Sequence, residues 1–463
     1  MSTARELAEF LTRTTIADLP AQAVDHAAML IASTLASAAM GRGIRSAAII
    51  RDMARERGGN AQASLWFDAG PKLPVASAAQ VNAVASDAAA SDDSDLRNIV
   101  HCGTPLTATA LALAEHNSST GGSSGEDVLA AIVLGYELAG HIIDAVPDAR
   151  LRGFHGSTRA IFAATGAAGR LLRLNTDQMT HAIGLAATSA GGLAKAADTS
   201  VAREYNCGNA TLLGIQAAEA ARRGYTCEER VLEMKQGYFE AFGGTDGEAA
   251  SRLATAGLGA PGDISWDIVT DMAVKLVPGG HPYHALGEAA ANAAREGNIR
   301  AEEVESITVS RPGMTALSGP LHPKDLIDMA HSPAYFTASG VADRRFSWEH
   351  AGPAKIADPV IHALIDKIRV GPPPTENTER YRQGATVTIR TGDGREVTNT
   401  VYAPTGSGLL GIDWADIDAK FRALMPLSGL PETRLAPIFD LIRGFRRQTG
   451  VGGLIGLLRP EGV

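Results

Sequence analysis

Several stretches of this 463-residue chain carry side chains that could move protons or hold carboxylates. In Gly153-Phe154-His155-Gly156-Ser157-Thr158, small residues flank an imidazole just ahead of an alanine-rich run, which leaves His155 accessible for acid–base work. The same composition also describes a helix cap with an incidental histidine. Lys275 lies between Val274 and Leu276; apolar neighbours of this kind place an ammonium at a cleft wall, where partial burial lowers its pKa and suits proton transfer or carboxylate binding. A lysine that lays its stem on apolar surface and keeps its head in water gives the same pattern. Gly279-Gly280-His281-Pro282-Tyr283-His284 brings two imidazoles to the start of a helix, where oriented amides and a histidine suit a carboxylate. Finally, Asp87, Asp92, Asp93, Asp95 and His101 crowd together. They read either as ligands for a divalent ion or as a solvated acidic loop that caps the next helix.

Other chemistries are excluded. The chain has no Walker loop, no dinucleotide-type glycine fingerprint between a strand and a helix, and no His-Glu-x-x-His pair. With 42 Lys+Arg against 51 Asp+Glu the formal charge is -9, and no basic run offsets it, so nucleic acid is not an expected partner. Cys102, Cys207 and Cys227 have neither the even count of a disulfide framework nor the paired spacing of a thiolate metal cluster, which suits a reducing compartment. No stretch reaches 18 uninterrupted apolar residues, and the first 20 residues lack a signal-like apolar core. The expectation is a soluble, cytoplasmic protein without a membrane partner.

These residues need elements to position them. Hydrophobic residues make up 45% of the chain but aromatics only 5%, which favours close helix packing through small side chains over an aromatic-filled sheet core. Helical spacing predicts helices over 24–40, 104–116, 126–146, 176–190, 209–223 and 229–242, with a loop over 117–125. Asn175 and Gln178 have the spacing of a capping box. The texture changes at Pro261. Beyond it, 304–309, 368–370, 385–390 and 396–402 read as strands, with a hairpin turn at Gly392-Asp393 and helices over 282–296 and 358–366. Helices return over 414–422 and 435–447. The expected fold class is mainly α: a large all-helical domain from residues 1–264, an α+β lid from 265–405, and a C-terminal segment, 406–463, that rejoins the helical domain.

The same stretches resemble the MmgE/PrpD family, whose members include 2-methylcitrate dehydratases, cis-aconitate decarboxylases and iminodisuccinate epimerases. The similarity covers nearly the whole chain. An aspartate pair with a hydroxyl residue and a following histidine resembles Asp92-Asp93-Ser94 with His101. The family's Gly-Phe-His-x-Thr segment is similar to Gly153–Ser157 and carries His155 across, with serine for threonine. Its Lys-x-x-Pro stretch leading to a histidine resembles Lys275, Pro278 and His284, and its Phe-Ser-x-x-Tyr segment resembles His331-Ser332-Pro333-Ala334-Tyr335. Two positions depart. Arg203 stands where the family often has lysine, and His281 where it commonly has arginine.

The resemblance implies a homodimer of helical and lid domains that needs no organic cofactor and no metal and acts on a small di- or tricarboxylate by taking a proton from carbon next to a carboxylate. In that reading His101, His155, Lys275 and Tyr335 are catalytic, while Asp93, Ser94, Arg203, His281 and His284 bind substrate. Arginine cannot readily lose a proton, so Arg203 would hold a carboxylate. The expected activity is that of a 2-methylcitrate dehydratase-like hydro-lyase; a dicarboxylate epimerase or isomerase, a decarboxylase and a non-catalytic binding protein of the same fold are the alternatives. The enzyme readings require His155 and Lys275 to line one cleft; a cleft without that convergence would favour the non-catalytic one.

Overall fold

Helix follows helix through the N-terminal half because apolar residues recur at helical spacing while alanine and glycine keep each helix slim. The computed structural model describes residues 1–118, 121–258 and 265–460. The elements run α1 (Thr3–Arg13), α2 (Ala21–Gly41), α3 (Arg45–Arg57), α4 (Val75–Ala88), β1 (Asp93–Asp95), α5 (Gly103–Asn117), α6 (Gly125–Ala145), α7 (Ser157–Leu171), α8 (Thr176–Ser189), α9 (Ala194–Thr199), α10 (Ala202–Arg222), α11 (Gly247–Ala254), α12 (Asp267–Thr270) and β2 (Met272–Val274).

In α2 and α6 the most apolar 18-residue windows are 89% and 94% buried, which makes both of them core helices. Helices α6 and α7 approach closely: a Cβ at Gly166 of α7 would stand 3.1 Å from the Cα of Gly135 on α6, so any larger residue there would push the pair apart. The capping box at α8 is formed, with Asn175 Oδ1 accepting from Gln178 N at 2.9 Å and Gln178 Oε1 accepting from Asn175 N at 3.1 Å.

The second group of elements is α13 (His281–Glu296), β3 (Val304–Ser310), α14 (Leu326–Ala330), α15 (Pro333–Asp343), α16 (Pro353–Ile356), α17 (Pro359–Ile365), β4 (Ile368–Val370), β5 (Ala385–Thr391) and β6 (Glu396–Val401). The sheet order is β4-β3-β5-β6, with β3 and β4 parallel and the other pairs antiparallel. Alternation along β3 and β5 turns Ile307, Val309, Val387 and Ile389 inward onto Leu286 of α13 and Phe336 of α15. The tail forms α18 (Trp414–Leu424), α19 (Leu435–Arg443) and α20 (Gly452–Leu458). It packs on α2, where Lys420 Nζ donates to Ser33 Oγ at 2.8 Å and Trp414 Nε1 to Asp25 Oδ1 at 3.0 Å.

The chain thus divides into two units. One is Met1–Ala88, Asp92–Val274 and Asp413–Val463, and the other is Ala89–Ser91 with Lys275–Ile412. The first boundary lies at 274/275, beyond the 264/265 read from composition, because Met272–Val274 pairs antiparallel with Asp93–Asp95 inside the helical unit. Three-residue strands are too short to show a period of two, and neither was expected. The texture change at Pro261 and residues 119–120 of the expected loop lie outside the described residues. The helix expected over 229–242 is absent: turns occupy most of it, ending in one π-helical turn, Phe239–Gly243, because Gly237 packs against the carbonyls of Val231, Leu232 and Met234. Fold class, mainly α with a smaller α+β part, is as the composition implied.

Candidate active site

The short β1 strand and the turn after it bring His101 back onto the aspartates that precede it. Asp95 N donates to Val100 O at 2.8 Å and Val100 N to Asp95 O, which closes the turn. Within it Ile99 holds φ 51°, a left-handed conformation costly for a β-branched residue, of order 1–3 kcal/mol. The turn sets the ring of His101 so that Nδ1 lies 2.6 Å from Asp92 Oδ2 and 2.7 Å from the Asp93 carbonyl, with Ser94 Oγ at 3.5 Å. A carboxylate and a carbonyl only accept, so Nδ1 is the protonated nitrogen. The neutral ring then carries its lone pair on Nε2.

His155 is held the opposite way round. Ser157 N donates to His155 Nδ1 at 3.2 Å, so in the neutral ring Nδ1 has the lone pair and Nε2 the proton. Ser157 Oγ, 3.2 Å from the same nitrogen, spends its proton on the Gly191 carbonyl at 2.7 Å. Burial, followed by the positive groups of His101, Arg150, Arg159 and Arg203, holds the pKa of His155 well below the usual histidine value. His155 is therefore a neutral N–H donor at working pH. The same positive neighbours place His101, His155 and Arg203 in one electrostatic environment of the helical unit.

Arg203, in the first turn of α10, reaches back to the C-terminal end of α4. Its Nη2 donates to Asp87 O at 2.5 Å and its Nε lies 3.4 Å from Asp87 Oδ1. Burial works against its charge, but the acids around it, Asp87 first and then Glu204 and Asp92, together outweigh burial and raise its pKa. Asp87 itself, fully buried, is pushed up to about 6 by burial in spite of Arg203. Its carboxylate lies in a group with Asp92 and His101 whose ligand-type atoms are all within 4.8 Å of one another. Those atom types would suit a divalent ion, but Arg203 already supplies a cation to Asp87.

The acidic stretch is not a solvated loop; Asp87, Asp92, Asp93 and Asp95 are all buried. It divides among three tasks. Asp92 orients His101. Asp93, expected to bind substrate, has Oδ2 accepting from Gly103 N at 2.8 Å and so caps the start of α5. Asp95 belongs to a network around Arg97, which lies 2.6 Å from Asp95, 2.9 Å from Asp144 and Asp267, and 3.7 Å from Asp271. Burial pushes Asp267 up to about 8. This network ties the turn before His101 to α6, α12 and the residue preceding β2.

In the second unit Lys275 is 1% exposed, so it is a buried lysine and does not snorkel. Gly279 has φ 94°, and a Cβ there would strike the ring of Phe336 at 2.5 Å. The turn it makes presents His281 and His284 on the first turn of α13 with ring centroids 4.8 Å apart. His284 Nε2 donates to the Gly279 carbonyl at 3.3 Å, and the ring stacks on Phe336 at 5.7 Å. Tyr335 is a core residue: it is 0% exposed, its hydroxyl donates to the His350 carbonyl at 2.9 Å, and burial raises its pKa. A phenol so enclosed and so engaged is a poor proton donor to substrate, which corrects the catalytic role expected for it. His331 donates from Nδ1 to Ile327 O at 2.9 Å and ends α14.

Residues 5–249 match the MmgE/PrpD N-terminal domain, and residues 278–435 match the MmgE/PrpD C-terminal domain. The chain belongs to the MmgE/PrpD family. Similar members of known activity include the cis-aconitate decarboxylase of Homo sapiens, 22% identical with 88% of this chain and 84% of that protein covered. Another is the cis-aconitate decarboxylase of Aspergillus terreus, 26% identical with 84% and 82% covered. Within this MmgE/PrpD chain, two groups were not singled out as site residues from sequence. Asp92 stands out in sequence only as one of an acidic cluster and of an aspartate pair, and which member faces the imidazole depends on the register of a three-residue strand. Arg159 carried no signal beyond its place one helical turn after His155.

Proposed function

We propose that this MmgE/PrpD chain is a lyase acting on a small tricarboxylate, and that it cleaves a carbon–carboxylate bond of an unsaturated substrate such as cis-aconitate. The observation that carries the reading is the 2.6 Å contact of His101 Nδ1 with buried Asp92, which fixes the ring and supports an imidazolium whose Nε2–H can be given up. In decarboxylation the bond to one carboxylate breaks and its electron pair stays on the substrate as carbon dioxide leaves. The resulting carbanion, delocalised into the neighbouring double bond and carboxylate, takes a proton from His101 Nε2. Neutral His155 donates its Nε2–H to a carboxylate oxygen as charge builds there. Arg203 supplies a positive group for a substrate carboxylate; for Lys275, His281 and His284 the proposed role is carboxylate binding. The similarity to two decarboxylases supports carbon–carbon cleavage over the dehydration expected from sequence.

Dehydration remains a second reading because one observation favours it. Loss of hydroxide needs a base and an acid together, and Asp87, pushed up to about 6, is a buried carboxyl able to hold a proton beside His101. Here neutral His101 takes the proton next to a carboxylate, and the carbon–oxygen bond breaks as the hydroxyl leaves with a proton from the acid. Incubating the protein with cis-aconitate, citrate, methylcitrate and iminodisuccinate in deuterated water separates the outcomes. Carbon dioxide release with one deuterium in the product supports the first reading. Double-bond formation from a hydroxy acid supports the second. Exchange with inversion alone indicates an epimerase, and no turnover of any substrate contradicts the lyase reading. A homodimer, implied by the family, belongs to the same proposal, as does a cytoplasmic location.

A further inference from the structure

Arg159, in the first turn of α7, is 1% exposed, yet no carboxylate among the described residues lies within ion-pairing distance of it. Only Nη1 has an acceptor, Thr158 Oγ1 at 3.2 Å; Nε and Nη2 are buried and meet none among the described residues. The other buried arginines of this unit discussed above lie against acids: Arg97 against four and Arg203 against Asp87. A guanidinium keeps its charge at any physiological pH, and a buried charge without a counter-ion is among the most costly features a fold can carry. The surroundings offer no remedy. Tyr238 turns its hydroxyl to the Thr158 carbonyl at 2.6 Å, and Phe162 packs edge-on against the Tyr238 ring at 5.1 Å. Thr158 Oγ1, which receives Nη1, passes its own proton to the His155 carbonyl at 2.9 Å. The amides of the first turn of α7 are already used within the turn, so what is left for a ligand is the enclosed, unpartnered edge of the guanidinium.

We propose that Arg159 is the receptor for a small buried anion in the helical unit, of carboxylate or halide chemistry, bound side-on through Nε and Nη2. An edge presenting Nε–H and an Nη–H in parallel is the fork that matches a carboxylate, and a halide sits in the same notch. The anion replaces the missing carboxylate partner and sits one residue from the hydrogen-bonded chain that ends at His155. The inference does not depend on the lyase reading, because its first test needs no turnover.

The melting temperature of the wild-type protein is measured in sodium bromide, sodium chloride and sodium methanesulfonate at equal ionic strength, then with cis-aconitate added to methanesulfonate. A halide occupant raises Tm by about 2 °C for each tenfold rise in bromide or chloride above its dissociation constant, with no such rise in methanesulfonate. A carboxylate occupant leaves the halides silent and gives the rise with cis-aconitate. In Arg159→Gln the responding anion no longer shifts Tm. If that variant does not fold, crystals of the wild type grown in sodium bromide carry the test: an anomalous peak against Nε and Nη2 supports a halide, and density for a cis-aconitate carboxylate there supports the other source. The proposal is overturned if neither halides nor cis-aconitate shift Tm selectively and the guanidinium edge is occupied by water alone.

Discussion

The polar clusters of the two units are built on different principles. In the helical unit His101 and His155 are each oriented by named hydrogen bonds, one to the Asp93 carbonyl with the Asp92 carboxylate 2.6 Å from the same nitrogen, and the other from a backbone amide. As neutral rings they consequently show opposite faces: His101 has a bare Nε2, which must first be charged before it can give a proton, and His155 a standing Nε2–H. In the second unit His284 is placed by a backbone carbonyl and by stacking on Phe336, His281 shares the first turn of α13, and Lys275 is buried. A carboxylate against a ring nitrogen tunes that ring to pass a proton, whereas a carbonyl and a stacked ring fix the direction of a donor. The contrast supports the proton-transfer role proposed for His101 and His155, and leaves Lys275, His281 and His284 with the carboxylate-binding role proposed for them.

That assignment breaks most easily at His101. His101→Gln is expected to lower kcat by about 10³-fold with KM changed little, the loss typical of removing a proton-transfer group; a loss of less than tenfold in steady-state assays would move the chemistry elsewhere. Asp92→Asn should cost about 10²-fold in kcat, since the amide can present its N–H and turn the ring to the wrong tautomer. His155→Ala should lower kcat by about 10²-fold, while His155→Gln, which keeps an N–H donor, should recover about a tenth of wild-type turnover. On the other side of the comparison, Lys275→Met should raise KM by about tenfold or more, with a smaller change in kcat. Tyr335→Phe should leave kcat within about twofold and cost about 1 kcal/mol of stability in urea unfolding, the worth of one buried hydrogen bond.

The helical unit should also show its buried acids in the pH dependence of stability. Asp267, pushed up to about 8 from an ordinary 3.8, binds its proton more tightly folded than unfolded. Its contribution is full below pH 4 and fades as pH rises toward 8. His141, lowered to about 4, has the opposite sign: its contribution is present above pH 6.5 and is lost as pH falls through 4. Asp267→Asn should therefore flatten the alkaline side of a denaturation profile between about pH 4 and 8 and leave the acid side in place. An unchanged alkaline slope in Asp267→Asn would show that the network around Arg97 stays ionised.

Much of the scaffold was legible before the structure, for physical reasons that differ by region. Helices α2, α5, α6 and α8 follow from helical spacing and, at Asn175, from a capping pair that needs only local sequence. Strands β3 to β6 are long enough, or flanked by clear enough turns, to show their pattern, but β1 and β2 exist only because residues nearly 180 positions apart pair, as Asp93 does with Val274. The same distance limit applies to the site. His101, His155 and Arg203 could be named from their segments, yet the pairing of Asp92 with the ring, the capping role of Asp93 and the enclosure of Tyr335 all depend on tertiary neighbours. Burial of Arg159 without an acid was invisible for that reason.

The central claim is that two histidines of one unit are held in opposite tautomers. Nitrogen-15 chemical shifts of the imidazole rings, assigned with His101→Gln and His155→Gln and read at a pH where both rings are neutral, test it directly. The account predicts a protonated Nδ1 with a bare Nε2 for His101, and a bare Nδ1 with a protonated Nε2 for His155. The same tautomer at both positions, or the two reversed, would contradict it.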